Sequence, residues 1–348
     1  MVVSMRKYNF KRVKFEFHSF CYFYFSKKII NMKFVEDNVE YLSQEPGVEG
    51  MYKMMELAAR QCYLTTDLIK EGSAHKIIDE VCIPHGHTSV IEFGTVYLIV
   101  PLYYKFVIES YQEDRYSRVN IVGDNAYVTT TFRTILQGDY NDPIEAIKNN
   151  FDKHWKDDLK FWSEPTEHHH KRYCFRFTMD RVGSQSVVRH RGTWGISYAQ
   201  ESTRYVNYNR DKFDHEIMVS VPSKFYSLID EWSLRIDENG FDYKWLKDAP
   251  FEKQLEFLRE HDKGWQVYEH SLLTAERDYM TLISDYCWNT EDARGVLNLD
   301  IKTQFMMCAY IEDWKMWLFR RCDKHAHPHI QMFANMVKEN FEKLGINI

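Results

Sequence analysis

No stretch of this chain reaches the roughly 18 consecutive apolar residues that a membrane-spanning helix needs, so no membrane span is expected. A surplus of positive charge is missing as well. The formal net charge is -6, which argues against a nucleic-acid partner, because general nucleic-acid binders usually read basic. Paired cysteines are lacking. Cys21, Cys62, Cys82, Cys174, Cys287, Cys308 and Cys322 are odd in number and scattered, with no C-x-x-C spacing. That pattern points to reduced thiols in a cytoplasmic protein, not to a disulfide frame or a zinc site. His168-His169-His170 and the alternating His325, His327 and His329 have no Cys or carboxylate partners at ligand spacing, and Pro328 interrupts the second set. No metal is expected. Repeats and low-complexity linkers are absent too.

What is present describes a globular protein. With 348 residues, 44% of them hydrophobic and 28% charged, the chain can bury a substantial core in one large domain or two ordinary ones. Aromatic content of 16% suits a large core or surfaces that stack on flat rings. Residues 1–31 stand apart. They are rich in Lys and Arg, crowd Phe15, Phe17, Phe20, Tyr22, Phe23, Tyr24 and Phe25 together, and contain Glu16 as their only acid. They lack the small-residue cleavage site of a secretory signal. A transit segment or a membrane-surface anchor fits them, but the favoured reading is a disordered extension or a start codon placed too far upstream of Met32. Residues 32–348 then form the domain.

Local patterns outline its elements. Met51, Met54, Met55, Leu57 and Ala58 predict a helix over Val48–Thr65, and Ile77 and Ile78 a second over Ser73–Val81, stopped by Pro84. Phe93–Val100 and Tyr127–Phe132 read as strands, the latter introduced by the turn Gly123-Asp124-Asn125. Tyr173–Met179 and Glu216–Val221 are further strands, and Arg181–His190 returns as a short helix. Trp265, Tyr268, Leu272, Ala275, Tyr279 and Leu282 alternate steps of three and four, which makes one apolar helical stripe. Ile301, Phe305, Cys308 and Ile311 predict another helix, ending near Arg321. Ile330, Phe333, Val337, Phe341 and Leu344 predict the last. The fold expected is α+β, a mixed or antiparallel sheet flanked by helices.

The most informative stretch is Arg189-His190-Arg191, followed by Gln200-Glu201-Ser202-Thr203-Arg204-Tyr205. Neighbouring cations repel and desolvate badly unless an anion or solvent compensates them. Planar guanidinium forks suit phosphate oxygens, and Ser and Thr hydroxyls complete such a cradle. A solvated basic loop is the ordinary fate of such runs. Here Val187-Val188, Ile196, Tyr198 and Ala199 surround the cluster, so an anion site is the better reading.

These residues, with His87-Thr88-Ser89-Val90-Ile91-Glu92, Ala293-Arg294-Gly295-Val296-Leu297, Arg321 and Ala326-His327-Pro328, resemble the flavin-dependent thymidylate synthase (ThyX) family in order and spacing. The resemblance runs from about Met32 to the C-terminus, and it implies that family's fold. It departs in a spacer between Arg191 and Ser202 lengthened as though by Gly192-Thr193-Trp194, and in Ser186, Asn298, Tyr310 and Met316, where other residues are usual. The resemblance implies reductive methylation of dUMP to dTMP, with methylenetetrahydrofolate as carbon donor and NADPH as reductant through bound FAD. It implies a homotetramer with sites shared between subunits. Arg321 would be the catalytic residue, stabilising the ionised uracil ring. Ser186, Arg189, Gln200, Ser202, Thr203, Arg204, Arg294 and Arg321 would hold dUMP. His87, Ser89, Glu92, Arg189, His190, Arg191 and Gln200 would hold FAD, with His325 near the pocket. The alternative is a catalytically impaired flavin- or nucleotide-binding protein of the same fold.

Overall fold

Met51, Met54, Met55 and Ala58 recur at helical spacing, and they form the buried face of a helix over Gly47–Tyr63. The computed structural model describes residues 33–137, 159–189 and 195–348. Residues 1–31, named above as an extension, lie outside them. Gly50, in the first turn of that helix, passes so close to the preceding backbone that a Cβ there would stand 1.9 Å from the Glu45 carbonyl oxygen. Gly50→Ala is therefore expected to destabilise the fold by about 1–3 kcal/mol. A thermal melt checks this, and an unchanged midpoint would mean that the turn yields freely.

The other early signals hold in outline. Ser73–Ile77 is helical and passes into a wider turn over Ile78–Cys82 before Pro84. The turn at Gly123-Asp124 joins β4 (Arg118–Val122) to β5 (Asn125–Thr131), and β3 (Thr95–Pro101) pairs on the other side of β5. This three-stranded sheet is antiparallel. A second antiparallel sheet runs in the order β2 (Asn38–Leu42), β6 (Arg172–Asp180), β9 (Lys302–Tyr310), β7 (Ser197–Gln200). A short parallel pair, β1 (Lys33–Val35) with β8 (Met218–Ser220), makes the strand set mixed. The fold is α+β.

One expectation fails. Phe305 and Cys308 do not lie on a helix, because Lys302–Tyr310 is the strand β9, and helix begins only at Ile311. The reason is burial on both faces. Phe305, Met307 and Ala309 pack with Phe175, Phe177, Trp314, Trp317 and Phe333 on one side. Met306 and Cys308 pack with Cys174, Ala199 and the Gly47–Tyr63 helix on the other. A strand covered on both faces loses apolar–polar alternation, so its apolar positions match a helical template by accident.

Helices close the outside. The Ile311–Arg321 and Pro328–Lys343 helices cover the second sheet, and the latter buries the expected Ile330, Phe333, Val337 and Phe341. The Ser223–Ser233, Phe251–His261 and Lys263–Ser284 helices build a core of their own around Phe225, Leu246, Leu258 and Trp265. Further along the Lys263–Ser284 helix, Leu272 packs against Val219, and Tyr279 joins Val206 and Tyr208. The predicted stripe is thus one helix serving three clusters.

Candidate active site

The polypeptide leaves β6 at Asp180, whose Oδ1 accepts the Gly183 N–H at 2.6 Å and caps the Arg181–Val188 helix. A capping carboxylate satisfies one of the free N–H groups of a first turn and stabilises the helix by roughly 1 kcal/mol. That helix delivers Ser184, Ser186 and, just past its end, Arg189. The Arg189 guanidinium bonds the Ser186 hydroxyl at 3.2 Å and the Gln185 carbonyl at 3.3 Å. Arg321 arrives at the end of the Ile311–Arg321 helix, and its Nη2 donates to the Ser186 carbonyl at 3.0 Å. Ser186, Arg189 and Arg321 therefore converge.

Electrostatics mark this group. Burial pulls the Arg321 guanidinium below its ordinary value, and Arg189 and Arg320 add like charge. Among the described residues no carboxylate pairs with any of the three. Uncompensated guanidiniums in one place attract an anion. Arg320 was not foreseen as part of this group, and nothing in the sequence marks it beyond its position beside Arg321.

Gln200 links this group to the next. Its amide bonds Ser184 Oγ at 2.8 Å and Thr303 Oγ1 at 3.2 Å. Beyond it, Ser202 N donates to the Cys62 carbonyl at 2.9 Å, which docks the loop on the end of the Gly47–Tyr63 helix. Thr203 Oγ1 accepts from Arg294 Nη1 at 3.1 Å. Arg204 meets Glu291 at 2.8 Å, with both side chains about half exposed at 49% and 51%. A pair that exposed is worth little, so an incoming anion can displace it. Glu201, between the expected ligand-binders, is wholly internal. Its oxygens bond Tyr208 at 2.6 Å and Lys302 at 3.0 Å. It shapes the loop from behind, a role not anticipated.

His87 lies beside this loop. Its Nδ1 is 3.0 Å from the Tyr63 hydroxyl, and the Tyr63 ring stands 6.2 Å from His87 and 5.5 Å from Tyr205. Burial, with His85 nearby, holds the His87 imidazole below its ordinary value, so it is neutral near pH 7. Ser89 is exposed. Glu92 is different: it is buried, and its Oε1 is taken by Arg133 and, at 3.0 Å, by the Tyr116 hydroxyl. His190 and Arg191, expected to hold FAD, lie outside the described residues, as does the Gly192–Trp194 spacer.

A family model described as thymidylate synthase complementing protein matches residues 122–344. This chain belongs to that family. Comparison with curated proteins finds no match. For a thymidylate synthase complementing protein the general function is thymidylate synthesis, with dUMP the substrate that the family implies. The matched span contains Ser186, Arg189, Gln200, Ser202, Thr203, Arg204, Arg294 and Arg321, while His87, Ser89 and Glu92 precede it.

The histidine runs of this family member have structural partners. His169 is buried against the Leu98 carbonyl at 3.1 Å, and the His325 backbone N–H is capped by Asp323. His329 lies between two buried carboxylates, 2.6 Å from Asp37 and 2.9 Å from Asp180. Burial disfavours its charge, but the bonds to Asp180 and Asp37 prevail and raise its pKa to about 9. Asp180 thereby caps the Arg181–Val188 helix with one oxygen and anchors His329 with the other. Among the described residues no group of three His, Cys, Asp or Glu is arranged to hold a metal, and no helix is long and apolar enough to cross a membrane.

Proposed function

We propose that this chain is a flavin-dependent thymidylate synthase, a methyltransferase that reductively methylates dUMP using methylenetetrahydrofolate, NADPH and bound FAD. The carrying observation is the trio Arg189, Arg320 and Arg321, concentrated with no carboxylate paired to them among the described residues. Guanidinium forks match the phosphate and the imide edge of a pyrimidine nucleotide. Ser202, Thr203, Arg204 and Arg294 are read as the phosphate end of the same site, with Gln200 and Ser186 between. FAD fits the neighbouring rings: Tyr63, His87 and the 56% exposed Tyr205 offer flat faces for a heterocycle. Glu92 does not fit a direct flavin contact, since Arg133 and Tyr116 already occupy it.

When bound, FAD supplies the hydride that the reaction needs. The protein's part is electrostatic. Arg321 holds negative charge on the uracil ring as it ionises, which makes the ring carbon a better nucleophile, and its guanidinium keeps its proton while doing so. Half-burial strengthens that effect by excluding water. His87, neutral near pH 7, can accept or donate one hydrogen bond without adding charge. The exposed positions of Arg189, Arg204 and Ser89 suit a site completed by another subunit, and a homotetramer in the cytoplasm, with residues 32–348 as its working domain, belongs to the same proposal.

Tritium release from dUMP labelled at ring carbon C5, with FAD, NADPH and the folate present, tests the reading. Binding of dUMP and FAD without release would favour the impaired binding protein instead. Ser202→Ala is expected to weaken dUMP binding about tenfold, the worth of one hydrogen bond to a charged group. The Ser202 oxygen accepts the Arg204 N–H at 3.3 Å, so the hydroxyl proton is left to donate to the phosphate. Titration calorimetry measures this, and an unchanged Kd would remove Ser202 from the phosphate site.

A further inference from the structure

The stretch that carries Ser202, Thr203 and Arg204 has no helix or strand of its own; it leaves β7 at Gln200 and runs irregularly to Tyr208. Such a stretch opens easily unless specific bonds hold it. A buried carboxylate holds both of its ends. Glu201, at the start, is wholly internal. Its Oε1 accepts the Tyr208 hydroxyl at 2.6 Å, and its Oε2 accepts Lys302 Nζ at 3.0 Å and the Gln304 N–H at 3.2 Å. Its backbone N–H donates to the Gln304 carbonyl at 2.9 Å, and its own carbonyl accepts from Arg181 at 3.3 Å. Tyr208, at the far end, is buried as well. One hydroxyl-to-carboxylate bond therefore ties the two ends together and fixes both against β9. Close packing does not replace it, because a cavity of about 390 Å³ opens beside Glu201, Tyr208 and Lys302, walled also by Leu64, Phe213 and Met218.

Burying an ion pair costs desolvation, and an apolar pair of similar volume would serve the core as well or better. What the charges add is direction, since a carboxylate bonded at both oxygens has one place to sit. We propose that Glu201, held by Tyr208 and Lys302, is the positioning residue of the phosphate loop: it sets where the Ser202 hydroxyl and Arg204 stand, and so governs affinity for the phosphate of dUMP. This rests on the reading of the site as a dUMP site. The other ties of the loop are lighter. Ser202 N is held by the Cys62 carbonyl at 2.9 Å, Thr203 accepts from Arg294 at 3.1 Å, and Arg204 has only its half-exposed pair with Glu291. Lys302 has a second effect. A lone carboxylate beside the loop would oppose a phosphate dianion, and the ammonium at 3.0 Å cancels it. Burial and the Glu201 charge push the Tyr208 phenol well above its ordinary value, so the hydrogen it donates is present throughout the working pH range.

The test uses the full chain loaded with FAD. Tyr208→Phe deletes the 2.6 Å bond but keeps the ring, which still packs on Phe213 and Tyr279 at 5.7 and 6.0 Å, so the fold stands. The calorimetric Kd and the KM for dUMP are expected to rise about tenfold, the worth of a hydrogen bond to a charged group. The kcat for tritium release should change less than about twofold, since the phosphate is gripped alike in the ground and transition states. FAD content should stay as in the parent. In ligand-free protein, amide hydrogen exchange over residues 202–207 should quicken about tenfold while β6 keeps its protection. An unchanged Kd overturns the proposal, as does unchanged exchange in the loop. A loss confined to kcat overturns it too, because it would mark disturbed packing near the pyrimidine. A parent protein that neither binds dUMP nor releases tritium sinks the functional reading itself, and the role of Glu201 with it.

Discussion

Arg321→Ala is expected to lower tritium release from dUMP by about a hundredfold to a thousandfold, the usual loss when one pre-placed donor to a developing anion is removed. FAD should remain bound, because Arg189, His87 and the aromatic group beside it are untouched. The ordinary alternative is that Arg321 merely complements the dipole at the end of its helix. That role is worth roughly 0.3–1 kcal/mol of stability and nothing in turnover. The two are readily separated: the first predicts lost activity with an almost unchanged melting midpoint, the second a small midpoint shift with activity intact. What favours the first is that Arg321 is drawn inward, loses solvation, and sits beside Arg189 and Arg320. A helix-capping arginine has no need of such company. Retained turnover in the alanine variant would take Arg321 out of the mechanism.

His329→Ala should have the largest effect on stability, about 3–5 kcal/mol, because it strands two buried carboxylates without their cation. Asp37 and His329 are nearly inaccessible, with side chains 1% and 7% exposed, and Asp180 is 8% exposed. The loss would reach the site, since Asp180 also caps the helix that carries Ser186 and Arg189. The same network makes stability depend on pH. His329 has a folded pKa near 9 against an ordinary 6.5, so folding is favoured wherever the histidine is protonated in the native state. Its contribution is complete below about pH 6.5 and is lost as pH rises through about 9, on the order of 3 kcal/mol in all. Asp180 behaves oppositely: burial opposes its charge, but His329 and the Gly183 N–H leave its carboxyl below the ordinary value, so its share is lost only in acid. Denaturant melts between pH 6 and pH 10 check the first slope. A flat profile there, or an alanine variant as stable as the parent, would remove His329 from the core network.

Much of the fold could be read from the chain in order. The helix around Met51–Ala58 and the long stripe from Trp265 to Leu282 each have one buried side, and one-sided burial leaves a period in the sequence. Lys302–Tyr310 left none, because both its faces are covered. β4 went unnoticed for the opposite reason: Arg118–Val122 is an edge strand with partly exposed residues.

The site divides in the same way. By itself the sequence determined which residue types were present for anion chemistry and where they lay along the chain, since guanidiniums and hydroxyls announce themselves by identity. The family's general activity was likewise legible in Arg189, Ser202, Arg294 and Arg321. Only the tertiary structure decided which of these groups are free to act. Glu92 looks like a ligand in the sequence, yet it is bonded inside the protein to Arg133 and Tyr116. Arg320 drew no notice and His329 was weighed only as a metal ligand, yet the first adds like charge beside Arg321 and the second holds two buried carboxylates. Partnership depends on contacts between segments more than a hundred residues apart, as between Ser186 and Arg321, and no local pattern encodes such contacts.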